Sequence, residues 1–229
     1  MSAPLPRFVG FCALAFLAVG PRAQAGSVRG TVTLTPEVRA IFDAPVGHWR
    51  VENGVIPLGP RVPDLRAEVV VVLVGSSIGA PKPDASATME LHGLRLDPRV
   101  VVVAVGATVL IKNADRLPHT LSVDGGLLST VTLPAGQTQT VKVSSAGEFN
   151  VRDQDFPHIE GTVVVAPTPY MAIADDKGGF RIDAPDGKYT LKVFFRRGGM
   201  GGWVLSQPLE VGGRTTEVSL TIPSLAGSH

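Results

Sequence analysis

Five histidines and one short acidic run hold most of the chemistry available to this 229-residue chain. His119 follows the segment Asn113-Ala114-Asp115, and His158 follows Asp153-Gln154-Asp155-Phe156-Pro157. Two imidazoles with one carboxylate make a hard nitrogen–oxygen donor set, which suits Cu(II) or Zn(II). The candidate ligands are His119, His158 and either Asp153 or Asp155, with the choice of carboxylate open. On a strand, His158 would share a face with position 156, two residues before it. The plainer reading leaves His119 at a loop end and His158 on the surface. His48-Trp49-Arg50 offers stacking for a ligand or a staple for a loop. His92 has no partner motif, and His229 is terminal.

Catalytic constellations are missing from the sequence. There is no His-x-x-Glu zinc pair, no His-Glu-x-x-His and no Gly-x-Ser-x-Gly elbow. The basic, glycine-rich stretch 196–202 lacks the lysine and helix start of a phosphate loop, and reads as a hairpin connection or a contact for an acidic partner. No nucleophile–base pair can be named, so the expectation is a protein that is not an enzyme.

Composition narrows the classes further. Lys and Arg number 21 against 20 Asp and Glu, which excludes nucleic-acid binding driven by a large basic excess. The single cysteine, Cys12, cannot form an internal disulfide or a cysteine-rich metal site. It lies in an apolar run, 8–20, that follows Arg7 and precedes the small-x-small sequence Ala23-Gln24-Ala25. That pattern predicts a signal peptide over 1–25, too short for a bilayer span, and export to the periplasm or beyond. Removing it takes Arg7 and Arg22 and no acid, so the formal charge moves from +1 to −1. No later segment is long and apolar enough to anchor the mature chain in a membrane.

The elements that must carry these residues read as β throughout. Short β-branched runs at 27–35, 68–74, 100–110, 120–123, 127–133, 138–143, 161–165, 179–182, 189–195, 203–211 and 216–222 are separated by turns such as Asp124-Gly125-Gly126 and Asp176-Lys177-Gly178. The run 68–74 is almost continuously apolar, as for a strand buried on both faces. Residues 36–42 suggest one short helical turn. Segments 43–65 and 76–86 read as loop and linker. The fold class is all-β, built of sandwiches.

Two stretches resemble known families. Pro98, Val103, Gly106 and Val109, then Asn113, Asp115 and His119, then Gly147, the closing Val163-Val164-Val165 and Thr168-Pro169-Tyr170 resemble a plastocyanin-like cupredoxin of the methylamine utilisation type. Asp175, Gly178, Phe180 and Ile182, with Pro185, Gly187, Tyr189 and Leu191, resemble the carboxypeptidase regulatory-like domain, a transthyretin-like sandwich. That second family begins with strands that here match Gly30-Thr31-Val32 and 67–73. The resemblance therefore implies a split outer sandwich, 26–75 with 168–222, and a Greek-key cupredoxin-like domain at 84–167 inserted in it or joined to it.

The cupredoxin resemblance also implies a type 1 copper site of two His, one Cys and an axial Met. His119 stands in the first His place. Asp153 stands in the Cys place, Phe156 in the second His place and Ile159 in the Met place. With the thiolate gone, the expectation is an exported, non-catalytic binding or scaffold protein with a degenerate copper site and no cofactor. Its expected partner is a periplasmic or envelope protein. The alternative is a copper or zinc carrier, or a redox accessory, using His119, His158 and a carboxylate.

Overall fold

The computed structural model describes residues 25–42, 68–75, 86–197 and 200–223. The signal segment with Cys12, His48-Trp49-Arg50, the stretches 43–65 and 76–85, Gly198-Gly199 and His229 lie outside the described residues. The chain is all-β apart from one short helix. Strand β1 (Ala25–Leu34) leads into α1 (Pro36–Phe42), and β2 (Val69–Gly75) follows. The central part holds β3 (Ser86–Leu91), β4 (Leu96–Asp97), β5 (Val100–Ala104), β6 (Thr108–Asn113), β7 (His119–Val123), β8 (Leu128–Leu133), β9 (Thr138–Lys142), β10 (Gly147–Asp153) and β11 (Glu160–Ala166). The chain ends with β12 (Met171–Ile173), β13 (Gly179–Pro185), β14 (Gly187–Arg197), β15 (Met200–Val211) and β16 (Thr215–Ile222).

These strands form four sheets, in the orders β13-β1-β16, β12-β2-β14-β15, β5-β11-β10-β7-β8 and β4-β3-β6-β9. The first two sheets unite strands from the two ends of the chain: β1 pairs with β13 and β16, and β2 pairs with β12 and β14. The last two sheets contain only strands of the central segment.

Alternation along the strands separates three apolar layers. Val69, Val71 and Leu73 of β2 point into the first core with Val28, Val32, Ile182, Leu191 and Val193. Val163 and Val165 of β11 point into the central core with Met89, Ile111, Leu121 and Val141. The residues between them on each strand, Val70 and Val72 of β2 and Val164 and Ala166 of β11, meet in a third core with Val100 and Phe194. The molecule is thus a stack of four sheets, and β2 and β11 are buried on both faces. This is the continuous apolar pattern that the run 68–74 displays.

One charged side chain enters the middle layer. Arg196 is 1% exposed; its Nε donates to Thr162 Oγ1 (3.2 Å), and its Nη2 lies 2.9 Å from Glu160 Oε1. Its backbone N–H donates to the Glu68 carbonyl, also at the layer's rim. Gly30 fits where β1 crosses Val218 and Phe180, since a Cβ there would lie 2.5 Å from the Val218 carbonyl oxygen.

The segment at 86–91 differs from the sequence reading, which assigned it no strand. Its alternation is carried by Met89 and Leu91 alone, the other positions being small or polar, yet both side chains are fully buried beneath the central sandwich.

Phe194 has no exposure and lies in the layer shared by both sandwiches. Phe194→Ala is expected to cost about 3–5 kcal/mol. It should also split the unfolding transition of the intact protein into two, measured by denaturant titration with near- and far-ultraviolet circular dichroism.

Candidate functional site

The sheet of the central sandwich that faces the outer one delivers the site. Asp153 ends β10 and His119 begins β7, and the two strands pair with Asp153 opposite Leu121. The loop between β6 and β7 is built on Asn113, which is fully buried. Its Nδ2 donates to the carbonyls of Leu117 and Leu133 (both 2.9 Å), and its Oδ1 accepts from Asp115 N–H (2.9 Å). The Asn-x-Asp-x-x-x-His spacing thus encodes a loop folded around one amide side chain.

His119 is completely buried and lies between two carboxylates. Its Nδ1 is 2.5 Å from Asp153 Oδ2, and its Nε2 is 3.2 Å from Asp115 Oδ2. An ionised carboxylate only accepts, so both contacts are hydrogen bonds when each ring nitrogen carries a proton. The other oxygen of Asp153 accepts from the backbone N–H groups of Asp155 (2.9 Å) and Phe156 (3.1 Å). Asp115 accepts from Gly93 N–H (2.7 Å, Oδ1) and Leu94 N–H (3.0 Å, Oδ2). Burial pushes the Asp115 carboxyl up, but the amides of Leu94 and Gly93 and the His119 ring outweigh it and hold the group below its usual value.

The Phe156 ring lies against His119, with centroids 5.5 Å apart, and Ile159 is buried in the central core. His158 is exposed and makes an edge contact with Phe156, centroids 6.3 Å apart. Asp155 is exposed as well. Of the four candidate ligands, the structure brings together His119 and Asp153. It places His158 and Asp155 on the outside. Asp115, which the sequence reading noted only as part of a motif, is the third member of the cluster. Its position four residues before His119 was the available signal.

A metal bonded to a ring nitrogen and a carboxylate oxygen at about 2.0–2.2 Å each, with tetrahedral angles, holds those atoms about 3.3 Å apart. The His119–Asp153 separation of 2.5 Å fits a proton between them and does not fit a metal ion. Among the described residues, no group of three or more His, Cys, Asp or Glu is arranged to hold one. Also among the described residues, no helix is long and apolar enough to cross a membrane.

The structure is similar to a copper(I) form of an amicyanin variant, with 20% identity over 42% of this chain and 98% of the other, at a TM-score of 0.33. It is also similar to amicyanin from Paracoccus versutus, with 17% identity over 41% of this chain and 91% of the other, at a TM-score of 0.33. A purple cupredoxin from Nitrosopumilus maritimus shares 20% identity over 35% of this chain and 99% of its own, at a TM-score of 0.32. No family model and no curated protein matches the chain.

The lowered Asp115 carboxyl fixes the sign of a pH effect. Its contribution to stability is present above the ordinary value of 3.8 and is lost as pH falls through the lower folded value. Asp115→Asn is therefore expected to cost about 1.5–3 kcal/mol at neutral pH. The gap between wild type and variant should close below that pH range, as read by denaturant midpoints at a series of pH values.

Proposed function

We propose that this chain is an exported, non-catalytic binding or scaffold protein whose cupredoxin-like central sandwich has its type 1 copper position closed. The observation that carries the reading is the 2.5 Å contact between two fully buried side chains, His119 and Asp153. Asp153 stands in the place of the copper thiolate of the resembling family, and its carboxylate contacts the His119 ring directly. Phe156 and Ile159 stand in the places of the second His and the Met. Both pack into the central core, and filling a ligand-sized space with apolar side chains is stabilising.

The division that goes with this reading is a central domain at 84–167 and an outer sandwich of 26–75 with 168–222, of the carboxypeptidase regulatory-like type. Export rests on the pattern of 7–26. The partner is a periplasmic or envelope protein, and the balanced charge of the chain speaks against nucleic acid. The competing reading, a copper or zinc carrier, requires His119 to exchange its carboxylate bonds for metal bonds and His158 to reach past the Phe156 ring.

Calorimetric titration of the metal-stripped mature protein, with His119→Ala alongside, decides between the two. The expected outcome is no uptake of Cu(II) or Zn(II) above the background of the variant, and no intense visible band with copper. One-to-one binding that His119→Ala abolishes would establish the carrier reading instead.

A further inference from the structure

Each of the four sheets ends in two edge strands, and an edge is a row of backbone donors and acceptors open to another chain. Most edges among the described residues carry a protective device. β4 and β12 span two and three residues. β5 is buried along most of its length, and β9 carries Lys142. A register irregularity interrupts the pairing of β7 with β8, and another that of β14 with β15; β15 also contains Gly201, Gly202 and Pro208. β13 carries Arg181 and Asp183 on its exposed face and ends at Pro185.

β16 has one of these devices, the single exposed charge of Glu217. Its eight residues, Thr-Thr-Glu-Val-Ser-Leu-Thr-Ile, contain no Pro, Gly or Lys and are rich in β-branched side chains. Among the described residues it pairs on one side only, in parallel with β1. Thr215, Glu217, Ser219 and Thr221 are exposed, while Val218 is half-buried at the margin of the first core.

We propose that β16 pairs antiparallel with β16 of a second copy of this chain, about a two-fold axis at Val218. A strand edge is self-complementary under a two-fold, as a closed dimer interface must be. In this register, Glu217 faces Ser219 of the second copy, Thr215 faces Thr221, and the two Val218 side chains meet on the inner face. Exposed positions face exposed positions, and no carboxylate opposes its own copy. The register centred on Glu217 would force that clash. The result is a continuous six-stranded sheet from two three-stranded ones.

Sedimentation of the mature protein over a range of concentrations, with hydrogen exchange of the β16 amides, tests the pairing. The exposed Ser219 allows charge to be placed at the interface without disturbing the core. Ser219→Lys should face Glu217 of the second copy twice per dimer and tighten association about fivefold; Ser219→Glu should weaken it about fivefold. The wild-type β16 amides that point away from β1 should lose protection as the dimer is diluted, while those bonded to β1 keep it. The proposal is overturned by a monomer at every concentration, or by a dimer indifferent to both substitutions. It is also overturned if both substitutions weaken association, since Ser219 would then face its own copy. If the β16 amides that point away from β1 stay protected in the monomer, the chain covers this edge itself, which also overturns the proposal.

Discussion

A strand with both faces buried has no position at which to put an unpaired charge, and two such strands decide how this molecule is assembled. β2 and β11 lie back to back between the two sandwiches. Val70 and Val72 turn toward Val164 and Ala166, while their neighbours in sequence serve cores on the far sides. Each fully buried valine is worth about 1.5–3 kcal/mol relative to exposure, so Val70, Val72, Val100 and Val164 hold the two sandwiches together. The arginine admitted there is held at its rim by Glu160 and Thr162. Removing the Glu160 carboxylate would take the ion-pair partner from a buried guanidinium, which is strongly destabilising.

From that layer the order propagates to the site by strand pairing. β11 pairs with β10 through six residue pairs, and β10 pairs with β7, so Asp153 and His119 arrive together as the ends of neighbouring strands. What they form is a polar cluster inside an apolar sandwich. Such a cluster is tolerable only when every member is satisfied. Here both ring nitrogens of His119, both oxygens of Asp115 and Asp153 and the amide of Asn113 all have partners.

Much of this was legible in the sequence, because burial leaves a direct trace in residue type. The unbroken run at 69–73 and the triple valine at 163–165 could not face water, and the turns between runs marked where strands end. The Asn113, Asp115 and His119 spacing was legible as a motif, but the loop that it builds rests on hydrogen bonds of the Asn113 amide that residue types alone do not reveal. The two readings of His158, on a strand face or on the surface, part at one local feature. Counting two residues from position 156 keeps a face only on a strand. Residues 154–159 form a tight turn instead, closed by Ile159 N–H donating to the Phe156 carbonyl at 2.8 Å. β3 escaped because only two of its six residues are large and apolar, and its burial comes from a parallel pairing with β6 that no local pattern reveals.

That turn also explains why an acid, and not another apolar residue, suits position 153. A metal ligand loop is ordered in part by the metal, since binding energy is folding energy. On the proposed reading, the loop after β10 takes a different anchor. Asp153 supplies it at three points: its backbone N–H donates to the Ile159 carbonyl, one carboxylate oxygen collects the amides of Asp155 and Phe156, and the other holds His119. A valine or leucine at this position would fill the space but take this acceptor from two amides and from Nδ1 of the buried His119. The carboxylate keeps the loop folded and leaves the outward side of the turn, with Pro157 and His158, exposed.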